Sequence, residues 1–110
     1  MIQNGADVNA VQKIKWTALH IAARCGHVDV VKVLIQNGAD VNAVDKNKWT
    51  ALHIAARCGH VDVVKVLIQN GADVNAVNED NKTALTIAAE NGHDEIVKLI
   101  KIEKEEKKLS

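Results

Sequence analysis

Cysteine and histidine are the side chains most able to bind a metal or attack a carbonyl, and this chain places them close together. In KWTALHIAARCGH, from Lys15 to His27, His20, Cys25 and His27 fall within eight residues, beside Trp16 and Arg24. A Cys-x-His pair with a second His one to two helical turns earlier suggests a zinc site. Such a structural site needs four N/S ligands converging at ~2.0–2.3 Å. The stretch then recurs letter for letter from Lys48 to His60. A building block is copied verbatim more readily than a chemical site.

If the copies stack as helices, they lie ~8–10 Å apart. That is too far for Cys25 and Cys58 to share a metal, and beyond the ~4.4–6.8 Å Cα range of a disulfide. Nucleophilic hydrolysis fares no better. The only serine is Ser110, and Cys25 has no buried base or oxyanion hole in prospect. The six glycines occur singly as helix stops, so there is no phosphate-cradling loop. The aspartates of GADVN (Asp7, Asp40 and Asp73) suit hydrogen bonds to loop backbone better than acid–base work. No catalytic residue, metal site or cofactor is expected.

The totals narrow the class further. At 110 residues the chain suits one modest domain. Fourteen Lys and Arg balance fourteen Asp and Glu, so no global field draws it to nucleic acid or a membrane. No apolar run approaches the roughly 18 residues of a membrane span, and the first residues do not resemble a signal peptide. Two cysteines without a secretory signal fit a reducing compartment. The expected location is therefore cytoplasmic, or the host cytosol if the chain is an effector. With no Pro, Phe or Tyr, the core must be built from Val, Ile and Leu.

The elements that position these residues follow from the period. IQNGADVNAV begins at Ile2, Ile35 and Ile68, a spacing of 33. Residues 2–34 and 35–67 differ only at Gln12/Asp45 and Ile14/Asn47. Within a period, Thr50 is a good N-cap for a short Ala-rich helix over Leu52 to Arg57, and Gly59 supplies its left-handed stop. A second helix from about His60 to Asn70 carries Val61, Val64, Leu67 and Ile68 at helical spacing, broadened by Val63 and Val66. Gly71 ends it, and polar turn-like sequence follows. Two short helices cannot bury an apolar face alone, so the units must stack into a solenoid.

Thr17-Ala18-Leu19-His20, Gly26-His27 and Gly38-Ala39-Asp40-Val41-Asn42, repeating every 33 residues, resemble ankyrin repeats. The resemblance covers nearly the whole chain. It implies an all-α solenoid of three stacked helix pairs joined by hairpin-like loops, serving as a protein-binding scaffold. The expected divisions are a leading loop of a truncated preceding repeat (1–16), repeats at 17–49 and 50–82, and a capping repeat with a charged tail (83–110).

The family's TPLH appears here with Ala for Pro, and as Thr-Ala-Leu-Thr at Thr83 to Thr86. The family's loop glycine is replaced by Lys15, Lys48 and Asn81. A left-handed conformation there would cost each lysine ~1 kcal/mol, and Asn81 less. The family also implies that loop asparagines, here Asn9, Asn42 and Asn75, can be hydroxylated.

The two ends differ. Lys82, Glu90, Asn91 and Asp94 replace Trp49, Arg57, Cys58 and Val61, as a solvent-facing end unit requires. The last helix should run into the charged tail, where Glu103 and Lys107 can pair and the last residues fray. The N-terminal end has no such cap, which fits a fragment of a longer array best, with a self-associating chain or tolerated exposure as alternatives; association through this end is expected at high concentration.

The resemblance places partner contacts on the loop tips and the exposed face of each first helix. Carried over, these are Lys13, Ile14, Trp16, Arg24 and Cys25; Lys46, Asn47, Trp49, Arg57 and Cys58; then Glu79, Asp80, Lys82, Glu90 and Asn91. The first two sets are basic with a Trp, and the third is mostly acidic. This suggests a partner protein with an apolar, acidic patch over the first two repeats. Packing of each Trp flat against its neighbouring repeat is the alternative role for the rings. A nucleic-acid strand could also follow the basic residues and tryptophans, but net neutrality and the acidic third repeat argue against it. The near-identity of two units fits recent duplication, or an engineered and idealised repeat protein with no natural partner.

Overall fold

The computed structural model describes residues 16–109, with side chains to residue 106. Among the described residues six helices form three antiparallel pairs: α1 (Ala18–Cys25) with α2 (Val28–Gln36), α3 (Ala51–Cys58) with α4 (Val61–Gln69), and α5 (Ala84–Glu90) with α6 (Asp94–Leu109). There is no strand among the described residues. First helices stack on first helices (α1 on α3 on α5) and second helices on second (α2 on α4 on α6). The 33-residue repeat thus becomes a solenoid held by nearest-neighbour interfaces.

Each first helix starts where the sequence places its cap. Thr17 and Thr50 are extended, and each hydroxyl accepts the backbone N–H of His20 or His53. The His side chain completes the capping box: Nδ1 of His20 accepts the N–H of Thr17, and Nδ1 of His53 that of Thr50. This satisfies two otherwise orphaned donors. Thr83 caps α5 through Thr86 N–H but lacks the histidine half of the box.

The core is aliphatic and small. Ala23, Ala55, Ala56 and Ala88 let the first helices approach closely, and Leu19, Leu52, Val64, Leu67, Ile96 and Ile100 fill the space between them and the second helices. Leu52 and Leu67 are fully buried. Truncating either to Ala would cost about 2–5 kcal/mol.

Histidines lock successive pairs together. The stop glycines Gly26 and Gly59 have φ of +74° and +82°, and each is covered by a ring from the next pair. His60 lies over Gly26 and donates from Nε2 to the Arg24 carbonyl at 2.9 Å; His93 lies over Gly59 and donates to the Arg57 carbonyl at 3.0 Å. A Cβ at Gly59 would stand 2.8 Å from the His93 ring. The glycine therefore serves both the turn and the joint.

The loops are also bonded across units. The Asn42 side-chain amide donates to the Gly71 carbonyl, and its oxygen accepts the Asp73 N–H. Asp40 and Asp73 accept the N–H two residues on, as expected of loop-forming aspartates. Lys48 and Asn81 adopt φ of +66° and +63°, the left-handed geometry expected of them. The last helix stays helical to Leu109, against the fraying expected of the final residues; Asp7, Asn9, Lys15 and the Lys107 side chain of the expected ion pair lie outside what is described.

Candidate functional site

One side of the stack carries a groove of about 670 Å³, running from Trp16 and Arg24 past Trp49 and Arg57 to Asn91. Its sides are made by loop residues Asp45, Lys46, Asn47, Glu79 and Asp80, and its floor includes Ile54 and Cys58. Trp16 and Trp49, each just before a first-helix N-cap, line this side. Arg24 and Arg57 end their helices on the same side. Each guanidinium lies over an indole, Arg24 5.1 Å from the Trp16 centroid and Arg57 5.7 Å from that of Trp49. Such contacts stabilise by about 0.5–1 kcal/mol at exposed sites.

Most of the sequence-derived contact residues gather here, but not all. Cys25 lies outside the groove, with Ile21, His27 and Val30 in an apolar depression on the N-terminal face of the first pair. Cys25 and Cys58 have identical sequence surroundings, and only the presence of a preceding described pair distinguishes them. Lys82 and Glu90 are engaged with each other in an exposed 2.9 Å ion pair and do not line the groove. Lys13 and Ile14 lie outside the described residues.

Two groove residues were not singled out in the sequence, Ile54 and Asp45. Asp45 organises its loop. Oδ1 accepts the N–H groups of Asn47 (2.8 Å) and Trp49 (2.9 Å), and Oδ2 accepts the indole N–H of Trp16 at 2.9 Å. The Trp16 ring also stacks on His20 at 14°, with centroids 6.0 Å apart. Part of this side chain is therefore used in packing and in joining the first two repeats. The signal for Asp45 was present, as one of only two differences between the first two units.

The histidines below the groove are structural. His20 donates from Nε2 to the Trp49 carbonyl (2.9 Å), and His53 from Nε2 to the carbonyls of Ala76 and Lys82 (both 3.1 Å). In both rings Nδ1 receives a backbone N–H, so the neutral tautomer with the proton on Nε2 satisfies every partner. Burial holds the His53 pKa below 6.5, against the opposing pull of the carbonyls that Nε2 meets and the more distant carboxylates of Asp45 and Asp73. Both cysteines are free and exposed. Among the described residues no group of three or more His, Cys, Asp or Glu side chains is arranged to hold a metal ion. None of the described helices is long and apolar enough to cross a membrane.

A solenoid of capped helix pairs with loop residues lining one groove defines a repeat scaffold. A family model described as ankyrin repeats (3 copies) matches residues 1–78 and again residues 43–109. The chain belongs to the ankyrin-repeat family, whose members are generally protein–protein interaction modules and typically non-enzymatic. No curated protein matches the chain.

Proposed function

We infer that the chain is an interaction scaffold whose concave groove binds a segment of another protein carrying apolar and acidic side chains. One observation carries this reading: Arg24 and Arg57 both face the groove over indole rings, and among the described residues neither guanidinium is in an ion pair. Each keeps a planar fork of donors available for a carboxylate. Trp and Arg together are typical of binding hot spots, where a ring supplies area and a guanidinium supplies direction. Glu79 and Asp80 on the same groove disfavour a nucleic-acid strand, whose phosphates they would repel. The two exposed free thiols fit a reducing, cytoplasmic setting.

The test is a selection of displayed random peptides against the chain. Acidic sequences with aliphatic or aromatic residues should be enriched. The double variant Trp16→Ala, Trp49→Ala should bind the selected peptides at least tenfold more weakly. Unchanged affinity in the double variant would show that the binding surface lies elsewhere.

A further inference from the structure

Two stretches of identical sequence do not present identical groups. Trp16 and Trp49 stand in verbatim surroundings, yet the first indole N–H is bonded to Asp45 while, among the described residues, the second has no hydrogen-bond partner. The cause lies 33 residues beyond Asp45, where the sequence has Asn78. Asn78 repeats the loop role of Asp45: its Oδ1 accepts the N–H groups of Asp80 (2.9 Å) and Lys82 (3.1 Å). These bonds fix the amide orientation. With Oδ1 so occupied, Asn78 has only the Nδ2 donor where Asp45 has a second acceptor oxygen, so it offers the Trp49 indole none. Asn78 is 3% exposed, and Nδ2 is buried with no partner. The Trp49 ring is tilted 57° to His53, against the 14° stacking of Trp16 on His20.

The buried Nδ2 of Asn78 does not line the groove, so a ligand meets the donors around Trp49 instead. Two donors at Trp49 face the groove: the indole N–H and the exposed guanidinium of Arg57 over the ring. Among the described residues neither has an acceptor, and a carboxylate offers two acceptor oxygens. We propose that the Trp49–Arg57 end of the groove is a carboxylate subsite for an extended peptide segment, while at the equivalent Trp16–Arg24 position Asp45 already takes the indole N–H and sets its own negative charge beside it. This rests on the groove being the partner-binding face. Glu79 and Asp80 on the adjoining loop oppose a second carboxylate beside the first and favour a cationic residue there. The matching segment therefore carries one Glu or Asp among apolar residues, followed by Lys or Arg.

The probes are dye-labelled peptides of Leu and Ser with one central Glu followed by Lys, and the same peptides with Gln for Glu. Fluorescence anisotropy against the full chain should give at least tenfold tighter binding of the Glu peptide. Asn78→Asp supplies the missing acceptor from within, with a charge that repels the ligand. It should weaken the Glu peptide at least fivefold and leave the Gln peptide within twofold, with folding checked by thermal melting. Arg57→Leu, at an exposed helix position, should abolish the preference for Glu whatever the fate of the Asn78 variant. Equal binding of the two peptides, absent binding, or a preference surviving Arg57→Leu would overturn the subsite. Binding that is blind to charge but lost in the double Trp variant would remove the subsite and leave the groove standing. Binding that survives the double Trp variant would remove both.

Discussion

At the scale of single residues, His53 shows how a group that could do chemistry is committed to structure. Nδ1 accepts from Thr50 and Nε2 donates to two carbonyls of the following loop, so a second ring proton would meet the Thr50 N–H head-on. Burial is the main reason that its folded pKa lies below 6.5, while the unfolded chain protonates near that value. The unfolded state therefore gains protons first as pH falls. Stability drops as pH goes below about 6.5, and the loss levels once pH is below the folded pKa. Urea melts at pH 7.5 and 5.5 should show a lower midpoint at the acidic pH. His53→Gln, which keeps a capping-box residue at the third helical position, should flatten part of that fall. An identical pH dependence in the variant would remove His53 as the source.

At the scale of elements, helices and loops were legible in the sequence to different degrees. Thr-Ala-Leu-His marked the start of α1 and α3, single glycines marked the stops, and the aliphatic stripe marked α4, all from interactions within one unit. The left-handed positions of Lys48 and Asn81 were legible too, because they fall where the family has glycine. Contacts between loops were not. That Asp45 reaches Trp16, that His60 covers Gly26, and that Cys25 leaves the groove all depend on the register between neighbouring units. A repeated sequence cannot state which copy meets which. Asn42 belongs to this group, since it bonds both Gly71 and Asp73 of the next loop. Asn42→Ala should cost about 1–2 kcal/mol. Asn75→Ala, whose side chain has no such bonds among the described residues, should stay within about 0.5 kcal/mol. Equal midpoints of chemical unfolding for the two variants would show that the inter-loop bonds contribute nothing net.

At the scale of the whole molecule, the described part of the stack is unequal between its first pair and its interior. Ile21 and Val30 are 40% and 47% exposed on the first pair, while their counterparts Ile54 and Val63 are 4% and 1% exposed within the stack. Val33 adds to the same open face. A second copy of the chain is the expected occupant at high concentration, since apolar area of this kind favours association. Sedimentation from micromolar to millimolar protein should show a rising average mass, and Val33→Lys should hold the chain monomeric. A strict monomer at millimolar concentration would refute this.

The Asp45/Asn78 difference also bears on how such a chain can grow. Joints between units repeat, so one more copy of residues 35–67 inserted after Leu67 would meet each neighbour through bonds already present and lengthen the groove by ~8–10 Å. The inserted loop would bring an aspartate opposite Trp49, and the newly arrived tryptophan would face the residue that is now Asn78. Under duplication the vacancy would thus neither multiply nor vanish. It would move one place along and stay beside the terminal unit, so arrays of any length built this way would keep a single open indole.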